Sequence, residues 1–432
     1  MREESSAGVW HNWSGSVSCE PHRYYEPTTE ADLQKIVARH AGDQTIRVSG
    51  SGHSFSSIVP TDDVLLSLAA YTGVTDIDTE RQRATVRAGT RLEELNEILA
   101  THGLALANMG DVDRQTIAGA LATGTHGTGI DLGVLATQAV GIRLVTADGE
   151  IRTLTAADGE TFRAAQVSLG ALGVVSEITL ELQRAYRLRE RTWTAPLAEV
   201  LDRVDELRET HRHFEFFWFP HTETALVKTL DRTTDSPTRS VPFDADEYLE
   251  NAAWGSLCRL SAIVPDASPQ LARLAAATLS DGETVGPSHE VFPTQRSVRF
   301  NEIEYGVPAD LGGDVVRSIR DHLAGDGQDI LFPIEFRYTQ GDEIPLSPAY
   351  GRDSAFIAVH TYHRKPHREY FEACETIFEE HDGRPHWGKM HTVDPERLRS
   401  CYPEWDTFQT VRRSLDPEGT FCNQRLRQLF DV

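Results

Sequence analysis

Three glycine-rich stretches in the first 175 residues limit what this chain can fold into more than any other feature of its sequence. Residues 45–49 (TIRVS) read as a buried strand that runs directly into Gly50-Ser51-Gly52-His53-Ser54. Glycine, with no Cβ, lets backbone N–H groups close around a ligand, so a turn of this kind is a nest for phosphate. A second stretch, GALATGTHGTG at 119–129, lies about 70 residues further on, and a third, SLGALGVV at 168–175, follows it. Taken alone, GSGH is as well a tight turn carrying an exposed histidine. Three close-approach loops in one region instead suit a long ligand that contains phosphate, and a dinucleotide meets that description. A nicotinamide-type fingerprint would need glycine where Phe55 stands, and a P-loop would need Lys followed by Ser or Thr, so both are ruled out.

The segments between the loops have the texture of an α+β fold. Thr28 and Thr29 precede Glu30, Ala31 and Asp32, and Leu33, Ile36 and Val37 recur at helical spacing, which predicts a capped amphipathic helix. Strands are expected at 64–68 and 84–87, and a helix at 92–102 stopped by Gly103. Residues 141–154 read as a hairpin turning at Asp148-Gly149. The period-two alternation of 174–182 reads as an edge-type strand that closes the region. With 432 residues the chain exceeds one ordinary core, and a boundary near Arg184 divides it into domains 1–184 and 185–432. In the second domain, 333–340 (PIEFRYTQ) and 355–364 (AFIAVHTYHR) are expected strands flanking a loop. The polar insert at 231–246 is expected on the surface, and the tail ends as a turn and a short helix. No internal repeat occurs.

Charge restricts the partners. Lys and Arg number 42 against 66 Asp and Glu, a formal net charge of -24, which repels nucleic-acid phosphate and anionic membrane surfaces. The five cysteines form no CxxC pair and read as reduced, mostly buried thiols. Residues 1–15 are polar and do not resemble a secretory leader, and no run of about 18 apolar residues is present. A cytoplasmic protein that neither enters membranes nor binds nucleic acid is expected. His126, His386 and His391 fit no metal-ligand spacing, so no metal is expected.

WHNW (10–13), GSGHSF, NMGDVDRQTIAGALATGTHGTG, SLGALGVV, IEFR, LSPAYGRDS, RPHWGKMH and a final F-x-N-x-x-L occur in order along nearly the whole chain. This set resembles the sugar-lactone and alditol oxidases of the vanillyl-alcohol-oxidase (VAO) flavoproteins, the group of gulonolactone, arabinonolactone and alditol oxidases. The resemblance implies a two-domain fold. An FAD-binding domain of the VAO type (1–184) lies beneath an α+β substrate domain (185–432), and the last segment, about 391–432, packs back on the FAD domain. It implies FAD bonded through its 8α carbon to His53, with no second, cysteinyl attachment, because no cysteine lies between Cys19 and Cys258. Gly50, Ser51, Gly52 and Ser54 would form the first cofactor loop. Thr116, Gly119, Thr123, Gly124, His126 and Gly127 would form the second, and Gly173 and Val175 the third. Gly110 and Asp111 would lie by the flavin ring. A glycine at 110 leaves room for O2 to reach the flavin, and Asp111 replaces the serine of alditol oxidase, a change that leans toward lactones.

Glu335 and Arg337 are two apart on an expected strand, so their side chains leave one face together. By themselves they read as an ion pair on a solvated face. The resemblance instead makes them substrate-facing, with Glu335 bonding hydroxyls and Arg337 stabilising negative charge. It also makes Lys389 a cation beside the reacting hydroxyl, and places His360, or alternatively His363, at the substrate. The expected reaction is oxidation of a polyol or aldono-1,4-lactone by hydride transfer to FAD, with O2 as acceptor and H2O2 as product. Two alternatives stay open: a dehydrogenase with a quinone- or cytochrome-type acceptor, and a flavin-binding protein without catalysis.

Overall fold

The computed structural model describes residues 2–4, 8–238, 245–294, 297–325 and 329–432. It is an α+β protein, as the sequence predicts. Near the N-terminus, a four-stranded sheet has the order Arg2–Glu4, Arg23–Glu26, Val64–Ser67, Ile46–Ser49, and the last three run parallel. Val64–Ser67 lies inside this sheet and is buried at every position, which is why it reads as an unbroken apolar run. The helix Glu30–His40 connects two of these strands. The Thr29 hydroxyl accepts from the Asp32 amide while the Asp32 carboxylate accepts from the Thr29 amide, and the helix buries Leu33, Ile36 and Val37 against Tyr25, Ile46 and Leu66.

A five-stranded antiparallel sheet follows, in the order Ile151–Thr155, Ala139–Val145, Val174–Glu181, Arg83–Arg87, Val74–Asp78. The hairpin turns at Asp148-Gly149 as expected, with Gly149 at φ 78°. Val174–Glu181, expected at an edge, instead lies at the centre, paired on both sides. Its alternation records one buried and one half-covered face, and a central antiparallel strand has that contrast as readily as an edge strand. The helix Leu92–Thr101 ends at His102, and Gly103 turns the chain at φ 68°.

Beyond residue 184 the chain builds an eight-stranded sheet. Its order is Gly282–Pro287, Arg187–Pro196, Thr224–Thr233, His213–Trp218, Ile334–Thr339, Ser354–Tyr362, Phe300–Pro308, Arg384–Pro385. The expected strands at 333–340 and 355–364 are both present. Of the polar insert, 231–233 finish a strand and 234–238 are exposed, while 239–244 lie outside the described residues. The C-terminal segment returns to the first sheet: Thr420 accepts from the Ile46 amide at 2.8 Å, and Phe421 enters that core. The helix Trp405–Leu415 packs on Glu160–Gln166.

Candidate active site

The three glycine loops meet along one cleft. Gly50, Ser51, Gly52, His53, Ser54, Thr116, Gly119, Thr123, Gly173 and Val175 all line it. Two features fit a phosphate-bearing cofactor held against backbone. A Cβ on Gly50 would stand 2.3 Å from Thr116 Oγ1, so only glycine lets the first and second loops close, and the Ser51 hydroxyl is buried with no hydrogen-bond partner. FAD fits these residues; bound there, it supplies a two-electron acceptor for hydride. Gly124 and Gly127 do not line the cleft. Gly124 turns the chain at φ 72°, and a Cβ on Gly127 would meet Met109 O at 2.2 Å, so both serve packing of the loop itself.

The WHNW motif has a mechanical role. The Trp13 amide donates to Gly52 O at 2.8 Å, Asn12 Nδ2 donates to Ser54 O at 3.1 Å, and the Trp13 ring lies 5.9 Å from that of His53. From the other side the Phe55 amide donates to Gly388 O at 2.6 Å and Ser56 Oγ to Trp387 O at 2.7 Å. Trp387 is a packing residue, fully buried and stacked on Tyr402. The GSGHSF and RPHWGK segments thus brace one another. His53, with Ser54, Gln115 and Thr123, lines both the first cleft and a second. Burial, and after it the cations Lys389, Arg91 and Arg114, push the His53 imidazolium down to about 4, so the ring is neutral at pH 7.

The second cleft is polar and lies on the eight-stranded sheet. Gly110, Asp111, His126, Glu335, Arg337, His360 and Lys389 all line it, whereas His363 does not. Arg337 donates to Glu304 Oε1 at 2.5 Å and lies 3.3 Å from Glu335 and 3.9 Å from Asp111. Lys389 donates to Glu302 Oε2 at 2.6 Å, and His360 Nε2 stands 3.4 Å from Glu302 and 3.8 Å from Glu335. Burial alone would raise Glu302, but Lys389 and then His360 hold its carboxyl down at about 2. Glu304 is likewise held well below the usual carboxylate range, burial being overcome by Arg337, His126 and Lys389. The cleft is therefore lined by a lattice of ion pairs set in a buried sheet.

Glu302 and Glu304 are the functional candidates that the sequence reading missed. The same two-residue spacing that drew attention to Glu335 and Arg337 was present in FNEIEYGVP, but only pairing of Glu302 opposite His360 reveals the partner. His126 and His386 do converge with Glu304, their ligating atoms within 4.8 Å of one another, while His391 packs by Trp387 instead. Arg337 and Lys389 already neutralise Glu304, which favours the ion lattice over a bound cation there.

Residues 178–429 match the family described as D-arabinono-1,4-lactone oxidase, and residues 21–155 match the FAD binding domain. The chain is 39% identical to L-gulono-1,4-lactone dehydrogenase of Mycobacterium tuberculosis, over 98% of this chain and 99% of that one. It is 33% identical to L-gulonolactone oxidase of Bos taurus over 98% of each chain, and 32% identical to alditol oxidase of a Streptomyces species over 97% and 98%. A solvent-stable cholesterol oxidase of known structure superposes with a TM-score of 0.85, covering 100% of this chain and 98% of that one, at 17% identity, a likeness of fold. By fold, cofactor domain and sequence, the chain belongs to the D-arabinono-1,4-lactone oxidase family of VAO-type flavoproteins.

Proposed function

We propose that this protein oxidises an aldono-1,4-lactone or a related sugar-derived polyol, using FAD bonded to His53 and passing the electrons to O2. The observation that carries the reading is the convergence of Glu335, Arg337 and Lys389 on a cleft that reaches His53. Glu335 accepts hydrogen bonds from substrate hydroxyls. Arg337 and Lys389 supply a positive field that favours loss of the hydroxyl proton and holds negative charge near the cofactor. His360 orients the substrate from the neighbouring strand. A neutral imidazole at the junction of the two clefts suits His53 to covalent attachment. The lactone substrates named for the relatives at 39% and 33% identity support the substrate class, and alditol oxidase keeps open-chain polyols within it.

Gly110 in the lining of the second cleft supports O2 as acceptor. The relative at 39% identity is named a dehydrogenase, and this favours a second reading in which another acceptor replaces O2. A cytoplasmic location belongs to the same proposal and is supported by five free cysteines; no helix among the described residues is long and apolar enough to cross a membrane.

Anaerobic addition of aldonolactones and polyols to the purified yellow protein tests the substrate class, and at least one should bleach the flavin. Acid precipitation should leave the flavin on the protein, while His53→Ala should release it under the same treatment. Substrate turnover in air that reduces an artificial acceptor without consuming O2 selects the dehydrogenase.

A further inference from the structure

Phe300, the first residue of the strand Phe300–Pro308, interrupts the polar lining of the second cleft. Among the described residues that line this cleft, only Phe300 and Val112 bring apolar side chains. Side chains two apart on a strand leave the same side of the sheet, so Phe300, Glu302 and Glu304 all reach the cleft, with Phe300 about 7 Å along the strand from Glu302. Neither the ion pairs nor cofactor binding accounts for a benzyl group at this position.

The ring is held on several sides. Trp13 and His360 meet it at steep angles with ring centres 5.2 and 5.1 Å away, Phe55 stacks on it at 5.7 Å, and Phe332 adds a fourth ring at 5.8 Å. Phe300 is 8% exposed, and a ring so enclosed keeps one orientation, which makes its remaining surface a rigid patch of carbon on the cleft. That patch adjoins the groups assigned to the reaction. Trp13 also lies against His53, Lys389 Nζ stands 5.4 Å from the centre of the Phe55 ring, and His360 reaches toward Glu302 and Glu335.

A wall of this kind sorts sugar derivatives by shape. A five-membered lactone fixes its hydroxyls around a ring and gathers ring C–H bonds into an apolar edge that is ordered before binding. An open-chain polyol has a hydroxyl on every carbon. Whichever carbon lies against Phe300, its hydroxyl loses water without gaining a partner, and the flexible chain must also be frozen.

We propose that Phe300 selects the lactone ring over the open-chain polyol, packing against ring C–H bonds while the hydroxyls turn toward Glu335, Arg337 and Lys389. The proposal rests on the oxidation proposed above and narrows its substrate class. Phe300 takes no part in proton or hydride transfer; it decides which substrate is held for them.

The test uses wild type, Phe300→Leu and Phe300→Tyr, loaded with flavin and reduced with dithionite under argon, a form that binds ligands without turning over. L-gulono-1,4-lactone serves as the ring probe and xylitol as the chain probe. In wild-type enzyme deuterated everywhere except its phenylalanine rings, transferred nuclear Overhauser effects should run from ring protons to the C–H protons of the lactone, because among the described residues Phe300 is the phenylalanine that lines the cleft. Phe300→Leu should abolish them and raise the Kd of the lactone by about 10-fold, the size of one modest apolar pocket contact, while the Kd of xylitol rises by less than about two-fold. Phe300→Tyr, which keeps the ring, should hold the lactone more tightly than Phe300→Leu does. In turnover by Phe300→Leu, the loss of kcat/KM for the lactone should be carried by KM. Lactone bound to wild type without those effects, no lactone bound at all, or an equal loss of lactone and xylitol in Phe300→Leu overturns the proposal. Failure of every lactone and polyol to bleach the oxidised flavin would instead sink the oxidation reading, while lactone binding to the reduced enzyme still decides the role of Phe300.

Discussion

Glu335 and Arg337 share one face of one strand, yet the structure gives them different work. Arg337 is anchored by Glu304, so it stays in place whether or not substrate is bound. Glu335 has an oxygen with no hydrogen bond, and a substrate hydroxyl can supply it. Glu335→Gln should therefore keep the fold and the flavin while lowering the anaerobic bleaching rate by about 10²-fold or more, the size of one lost transition-state contact. Bleaching at the wild-type rate would remove Glu335 from the reaction. Gly110 offers a second probe at this scale. A Cβ there would lie 3.2 Å from His126 O and from Thr125 Cγ2, a tight fit that requires these neighbours to give by a few tenths of an ångström. Gly110→Ala should then slow reoxidation by O2, followed by stopped-flow, more than it slows substrate oxidation. Equal loss of both would remove the reason for favouring O2. The i, i+2 spacing made one such pair legible in the sequence, since a strand repeats its facing every two residues. Glu302 and Glu304 have the same spacing and went unread, because their partners Lys389 and Arg337 come from distant segments.

At the level of elements, the local signals were the legible ones: the Thr29 cap, the Asp148-Gly149 turn and the glycine stop at 103 each depend on a few adjacent residues. Strand order in the two larger sheets depends on contacts far apart in the chain, which is why the 174–181 strand was misplaced at an edge. Arg47 shows what such contacts do. Its buried guanidinium donates to the carbonyls of Gly170, Leu169 and Phe421, tying the first strand-loop unit to the third glycine loop and to the C-terminal segment. Burial lowers its pKa to about 10, so it remains a cation throughout the working range. Asn423 adds a second tie, capping the last helix and donating to Ser57 O and Pro60 O at 3.0 and 2.7 Å. Arg47→Met strands three buried acceptors and should lower stability by roughly 3 kcal/mol or more, read as a fall in the urea midpoint. A midpoint within error of wild type would mean that the carbonyls find other donors and that the C-terminal tail is not held by this residue.

For the whole molecule the decisive quantity is charge, and the surface and the active site set its pH response in different windows. With a formal net charge of -24, lowering the pH from 7 relieves repulsion among exposed carboxylates and should stabilise the fold. Glu215 acts in the same direction: its folded value near 7 lies above the ordinary 4.5, so its contribution is complete below about 4.5 and is lost as pH rises through 7. Glu302 has the opposite sign. Its folded value near 2 lies below the ordinary one, so its contribution is present above about 4.5 and falls away as pH drops toward 2. Four histidines outweigh both: burial holds His53 at about 4 and His213, His386 and His391 at about 3, so their contribution is present above about 6.5 and falls away as pH drops below it. Together these place the stability maximum between roughly pH 6 and 7. Urea midpoints measured from pH 4 to 8 at constant ionic strength should peak there, decline gently toward 8 and fall steeply below about 6. The difference in stability between Glu215→Gln and wild type should shift in the variant's favour by up to roughly 2–3 kcal/mol between pH 5 and 7 and stay constant below about 4.5. A difference that does not change with pH would leave Glu215 ionised in the folded protein.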